Sequence, residues 1–404
     1  MIGGTPDDIP AITAIATPLD KFQASTHKSK MKFAVISEAA WLRYPPYPNN
    51  FGACGGHCTG LGSYGYFTQQ ITEIANRMLD PQYFRYNGRP VWGIYGSTNI
   101  DATHMNSAIA TITSITGAAP YVVDVNHNTT QAGVLGENAI TTYGPNTNHL
   151  SAGQHPYTDQ ITQDRAFWPP AGFEMWAGVT ALLDTRPRPS WAFGYADMPT
   201  MPEWINHLRG AATFVSSGFT NRAIIIYNWS EYMEGGPGIN RTTQEGSRFL
   251  VGIACAKWGV NSSKCPSSIT YEVDACNIGG AMAHTGVGWT CPASVGSHDY
   301  DENLDSTTND TAVFTHVGTT AADVVCTKGP DRGQFSVKID SGTPTTIDAY
   351  AASPAVHQTC WSSGALDGTK HAITVTVLGT KNGSSSSVQV GIDSFRVTAD
   401  PRTF

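Results

Sequence analysis

The strongest constraint on the fold of this chain is a change of period along it. Up to Trp258, short apolar runs alternate with stretches of helical spacing, and from about Pro266 the helical period disappears. The apolar runs lie at 33–37, 90–95, 120–125, 139–143, 174–180 and 223–227, and helices are predicted at 8–24, 69–79, 103–116, 157–166, 201–216 and 242–258. A run that is apolar throughout suits a strand buried on both faces, and strands alternating with helices build parallel βα units. After residue 266, short alternating runs at 313–317, 334–339, 345–350, 371–378 and 387–397 are separated by Gly, Asn, Asp and Ser. That spacing predicts an antiparallel β-sandwich or jelly roll. Two domains follow, 1–262 and 263–404, which suits a chain of 404 residues.

Within the first domain one stretch concentrates chemistry. The run at 223–227 stops at Asn228-Trp229-Ser230, two carboxylates follow at Glu231 and Glu234, and Gly235-Gly236-Pro237-Gly238 permits a sharp turn. Polar and acidic groups at the end of a buried parallel strand are where α/β folds place their chemistry. Two carboxylates three residues apart can share one side of a turn, one as acid and the other as base. A solvated charge pair at a loop start is the competing reading. The chain is only 14% charged and Tyr227, Trp229 and Tyr232 flank the pair, which favours a site.

The stretch Tyr227-Asn228-Trp229-Ser230-Glu231-Tyr232-Met233-Glu234-Gly235 resembles the strand-eight motif of glycoside hydrolase family 99 and its relatives, the family 71 α-1,3-glucanases and WbsX-like proteins. Their pattern is approximately Tyr-Asn-Glu-Trp-x-Glu-Gly. The sequence departs from it after Asn228, where Trp229-Ser230 stands in place of an acid, so the match is read from Glu231 onward. The resemblance covers roughly residues 8–260 and implies a (β/α)8-type TIM barrel. Six βα units are legible instead of eight, which implies that the first two barrel strands are missing: either the sequence is truncated, or a second copy or a partner chain covers the gap, or the fold has adapted. It also implies cleavage of an α-linked polysaccharide, mannan- or glucan-like, with retention. Glu231 would deprotonate the sugar 2-hydroxyl, which attacks in an epoxide-like step, and Glu234 would act as acid/base. Substrate contacts are then expected from Trp41, Tyr44, Trp92, Tyr95, Tyr143, Asp184 and Arg186, with Asn228, Trp229 and Tyr232. Aromatic faces stack on pyranose rings and charged groups hold hydroxyls. Glu38 is a further carboxylate at a strand end. A reading from another class is a non-catalytic carbohydrate-binding or structural surface protein on a degenerate barrel.

The remaining features bound the partners. A net charge of -8 gives no reason to expect nucleic acid or an anionic membrane. No apolar run approaches the roughly twenty residues of a membrane span. Few charges, many Gly, Ser, Thr and Asn residues, and eight cysteines fit a secreted or cell-surface protein with disulfides. Cys54-Gly-Gly-His-Cys58 reads as a loop disulfide, since no second pair has zinc-site spacing. His57, His104, His127, His149 and His155 are scattered without a ligand motif, and neither a metal nor a cofactor is called for. Asp299, Asp301 and Glu302 read as a solvated acidic loop in preference to a calcium loop. Segments 333–342, 370–379 and 390–397 resemble galactose-binding-like modules, in which Trp289, Tyr300, Tyr350 and Trp361 are sugar-stacking candidates. For each of these rings, core or rim packing is the preferred reading.

Overall fold

A computed structural model describes residues 21–38, 63–97, 100–125, 136–142, 150–168, 174–181, 194–218, 223–227, 248–277, 281–292 and 302–404. The strands are β1 (Val35–Glu38), β2 (Arg85–Tyr86), β3 (Arg89–Tyr95), β4 (Tyr121–Asp124), β5 (Ala139–Ile140), β6 (Gln154–His155), β7 (Glu174–Met175), β8 (Ala177–Thr180), β9 (Tyr195–Ala196) and β10 (Ile224–Tyr227). The helices are α1 (Ser63–Arg77), α2 (Ala102–Thr116), α3 (Tyr157–Ala166), α4 (Met201–Gly218) and α5 (Arg248–Trp258). Among the described residues only strands follow, apart from a terminal 3-10 turn: β11 (Ile269–Asp274), β12 (Met282–Thr285), β13 (Asn303–Asp305), β14 (Thr311–His316), β15 (Thr319–Lys328), β16 (Gln334–Ile339), β17 (Thr345–Asp348), β18 (Ala355–Ser362), β19 (His371–Val377) and β20 (Val390–Ala399). Two compact units result: Met1–Asn146 with Phe167–Gly178 and Phe214–Ile225, and Thr147–Ala166 with Val179–Thr213 and Ile226–Phe404.

The first unit is built on a sheet of order β1-β3-β4-β5-β7, parallel at each of its pairings, with β2 antiparallel on β3. Alternate residues of a strand point to opposite faces, and here both faces are covered. Trp92, Ile94 and Val122 face a cluster with Ile71 and Ile74 of α1, Met78 just after it, and Met105, Ala108 and Ile112 of α2. Val91, Tyr121 and Val123 face a second cluster with Val125, Ala139 and Trp176. This is why the strands read as unbroken apolar runs. Gly93 is required by close packing, since a Cβ there would lie 2.8 Å from Ile36 Cγ1. The run at 174–180 forms two strands: β7 pairs with β5, and β8 pairs with β10. Between them Trp176 stacks on Tyr121, with ring centroids 5.9 Å apart. Asp101 caps α2 by accepting the His104 N–H at 2.9 Å, and Gly117, with φ +75, ends it.

The second unit holds two five-stranded sheets, β11-β20-β15-β18 with β13 also on β20, and β12-β14-β19-β16-β17. Their pairings are antiparallel. Ile373, Val375 and Val377 of β19 and Ala322, Val324 and Cys326 of β15 enter one core, at every second residue as a half-buried strand dictates. Met201 and Ile205 of α4 and Cys255 of α5 belong to the same core. α4 and α5 approach closely because Gly252 has no side chain: a Cβ there would lie 2.2 Å from Trp204 Cδ1, and the Trp204 indole donates to the Phe249 carbonyl at 3.0 Å. Three disulfides, Cys255–Cys265, Cys276–Cys291 and Cys326–Cys360, bind this unit together. Cys54 and Cys58 lie outside the described residues. Among the described residues no helix is long and apolar enough to cross a membrane.

Candidate functional site

The carboxyl ends of parallel strands are where a site is expected, and the registers show which residues stand there. Ser37 is level with Ile94 and Glu38 with Tyr95. Ile94 is level with Asp124, and Asp124 with Ile140. Val125 N–H donates to the Ile94 carbonyl at 2.8 Å and Thr141 N–H to the Asp124 carbonyl at 2.7 Å. Glu38, Tyr95, Asp124 and Thr141 therefore mark the ends of four successive strands, β1, β3, β4 and β5, which are about 5 Å apart from one to the next. Asp124 is fully buried and accepts from Ser97 Oγ at 2.9 Å. A carboxylate held by a hydroxyl at a strand end can hold a substrate hydroxyl or take part in proton transfer.

Trp92 has no exposed surface, and its indole donates to Ser37 Oγ at 2.9 Å. The ring is part of the α1–α2 core cluster and offers no face to a sugar; its polar edge steadies β1 beside it. Tyr95 is half-buried at the strand end. Glu231, Glu234, Trp41, Tyr44, Tyr143, Asp184, Arg186, Asn228, Trp229 and Tyr232 lie outside the described residues. What can be said of the motif is that β10 ends at buried Tyr227, whose carbonyl accepts the Ala181 N–H at 2.6 Å, one residue before Asn228.

A second polar cluster lies within the other unit. Tyr157 of α3 donates to the Thr180 carbonyl at 2.7 Å. Its only hydrogen is thereby used, so His207 Nδ1, 3.0 Å away, carries the proton and donates to the phenol oxygen. His207 Nε2 then faces Asp164 Oδ2 at 3.4 Å with a lone pair. Asp164 accepts from Thr180 N–H at 2.6 Å, Gln160 Nε2 at 2.8 Å and Thr180 Oγ1 at 3.2 Å. Burial outweighs these donors and pushes its carboxyl up to about 7. Burial, with Arg165 nearby, lowers His207 to about 3, and burial raises the Tyr157 phenol well above its ordinary value. The arrangement is a buried hydrogen-bonded chain from His207 through Tyr157 to the Thr180 carbonyl, with the Asp164 carboxyl 3.4 Å from His207 Nε2. The sequence reading did not reach it. Tyr157, Gln160 and Asp164 fall on one helical face, but nothing in their spacing says that this polar face is the buried one.

In the sheet-rich unit, Glu302 is buried and pairs with Arg332 Nη2 at 3.3 Å, unlike the solvated loop expected. Asp299, Asp301 and Tyr300 lie outside the described residues. Trp289 and Trp361 are partly buried against the core and Tyr350 is half-buried. Glu272 pairs with Arg396 Nη2 at 2.8 Å, and His357, at φ +54, bonds Asp393 at 2.7 Å. No group of three or more His, Cys, Asp or Glu side chains able to hold a metal is present among the described residues.

No family model matches the chain, that of the family 99-like hydrolases included, and no curated protein matches it. Three similar solved structures are a Paenibacillus xanthan lyase, a family two carbohydrate esterase from Cellvibrio japonicus, and a CBM36 domain of a multidomain xylanase from the hindgut metagenome of Trinervitermes trinervoides. The lyase is 17% identical over 28% of this chain and 12% of its own, with a TM-score of 0.24. The esterase is 15% identical over 33% and 34%, with a TM-score of 0.25. The CBM36 domain is 15% identical over 32% and 96%, with a TM-score of 0.24. The chain thus spans about an eighth of the lyase and a third of the esterase. Likenesses at these scores carry no argument about this chain.

Proposed function

We propose that the chain is a secreted carbohydrate-active enzyme, a glycoside hydrolase that cleaves an α-linked, mannan- or glucan-like polysaccharide with retention. Glu231 acts as base and Glu234 as acid/base. The fold proposed with it is a (β/α)8-type barrel over 1–262 lacking its first two strands, followed by a jelly-roll module over 263–404 that holds polysaccharide. The observation that carries the reading is the Glu231–Glu234 pair directly after a strand that ends at buried Tyr227. The three disulfides fit an oxidising compartment.

The test is release of reducing sugar from a panel of α-mannans and α-glucans. The wild type should be active, and Glu231→Gln and Glu234→Gln, with unchanged unfolding curves, should each lose at least about a hundredfold. Activity surviving both substitutions refutes the assignment. Polysaccharide retardation in affinity electrophoresis without hydrolysis establishes the non-catalytic binding protein instead.

A further inference from the structure

The loop joining β13 to β14 and the loop after β12 bring two carboxylates together. Asp305 is only 2% exposed. Its Oδ1 accepts the Thr307 N–H at 2.7 Å, while its Oδ2 is buried and meets no hydrogen-bond donor. The Asp305 carboxyl lies within hydrogen-bond reach of the carboxyl of Asp310, itself buried, and two ionised carboxylates have no proton to share across that contact. Asp310 Oδ2 accepts the Gly288 N–H at 3.0 Å.

The opposing loop is shaped to admit both groups. A Cβ on Gly286, whose φ is +92, would lie 2.0 Å from both Asp310 carboxylate oxygens. A Cβ on Gly288 would lie 2.0 Å from Asp305 Oδ1 and 2.4 Å from Thr307 Oγ1. Side chains at either position would occupy the carboxylates' place. Between the two glycines Val287 is 96% exposed, and residues 306–309 are exposed, so the pair lies directly beneath solvent-facing loop residues.

From this geometry we infer a divalent-cation site at Asp305 and Asp310, of the hard, oxygen-ligated kind that calcium fills. Asp305 Oδ2 and the Asp310 carboxylate are its charged ligands, Thr307 Oγ1 adds a neutral oxygen, and water completes the six to eight oxygens that calcium takes. The ion neutralises the facing carboxylates and ties the β13–β14 loop to the glycine loop after β12. This site is independent of the proposed hydrolase chemistry.

Trp289 follows Gly288 directly and serves as a built-in antenna. The full-length protein is titrated with terbium(III), exciting the indole band, and the terbium is then displaced with calcium. Thermal unfolding is compared in calcium and in EGTA at pH 7.5. Saturable terbium emission that calcium reverses, and a midpoint raised by a few degrees in calcium, are expected for the wild type. Asp305→Asn and Asp310→Asn should each weaken binding at least about tenfold. In EGTA they should unfold no lower than the wild type, because each removes a repulsion, which separates loss of the site from loss of the fold. Emission and calcium stabilisation absent from the wild type, or unchanged in both variants, overturn the inference. So does a wild type that is stabilised by mild acid in EGTA and indifferent to calcium, since a shared proton would then do the ion's work.

Discussion

Replacing Asp164 by asparagine should change how stability depends on pH, by an amount the structure fixes. Burial raises the Asp164 carboxyl from 3.8 to about 7. Below pH 3.8 the folded and unfolded chains both hold the proton. Between 3.8 and about 7 the unfolded chain releases it while the folded chain keeps it, so stability falls as pH rises, by about 1.4 kcal/mol per pH unit. Above 7 both are ionised and the loss is complete. Over the interval this comes to about 4 kcal/mol, an upper figure for a carboxyl with three donors around it. His207 acts in the opposite sense. Its imidazole is lowered from 6.5 to about 3, so its stabilisation is present above 6.5 and is lost as pH falls toward 3. In the wild type the two slopes nearly cancel between about pH 4 and 6.5, and the pair titrates as a unit.

Asp164→Asn removes one slope and leaves the other. Gln160 Oε1 is buried without a partner, so a flipped Gln160 amide can accept from the new side-chain amide, and Thr180 N–H keeps an acceptor. Urea unfolding of both proteins, with disulfides kept oxidised, gives the difference in stability at each pH. Relative to the wild type, the variant should gain about 4 kcal/mol between pH 4 and pH 8. At pH 4 it should be the weaker protein by about 1–3 kcal/mol, because the amide keeps only one oxygen to accept from the Thr180 and Gln160 donors. A difference that stays the same from pH 4 to pH 8 would refute the raised carboxyl and mean that Asp164 is ionised in the folded protein throughout.

Gly252→Ala should destabilise by about 1–3 kcal/mol in thermal unfolding, because the new methyl would lie 2.2 Å from Trp204 Cδ1 at the α4–α5 contact. Replacing both Cys326 and Cys360 by serine opens a loop of 34 residues and should cost about 4 kcal/mol, measured against wild type in denaturant. His371 bonds Asp340 through Nδ1 and Asp367 through Nε2, each at 2.9 Å, and these bonds, that to Asp340 foremost, raise its imidazole. The stabilisation is full below pH 6.5 and is lost as pH rises through the raised value, so His371→Ala should lower the urea midpoint at pH 5.5 and hardly at pH 9.

The alternation of the first half and the loss of helical period in the second were legible because burial there is periodic. β3 reads as unbroken apolar because Trp92 and Val91 meet different cores on opposite faces, and β19 reads as alternating because only Ile373, Val375 and Val377 face inward. The helices α2 and α3 were legible nearly to the residue, α2 because Asp101 and Gly117 bound it. The 174–180 run reads as one strand, and its division at Trp176 was not legible, since a change of pairing partner leaves the apolar pattern intact. The strands β15 and β18 are broken by register shifts between Val324 and Val325 and between Cys326 and Lys328, which blur their period.

The polar groups were less legible, for a reason the two buried clusters make plain. An exposed and a buried carboxylate have the same letter in a sequence; what separates them is the donor that reaches each one. Asp124 is held by Ser97, 27 positions away, and Asp164 by Thr180, 16 positions away. Asp305 and Asp310 are only five positions apart, yet the glycines that expose them to one another sit at 286 and 288, on another loop. A carboxylate becomes chemically distinctive when the fold withholds its counter-charge, and that withholding belongs to the packing of distant segments. The Glu231–Glu234 pair is the exception that a sequence can display, because both acids and the strand that ends before them lie within one short stretch.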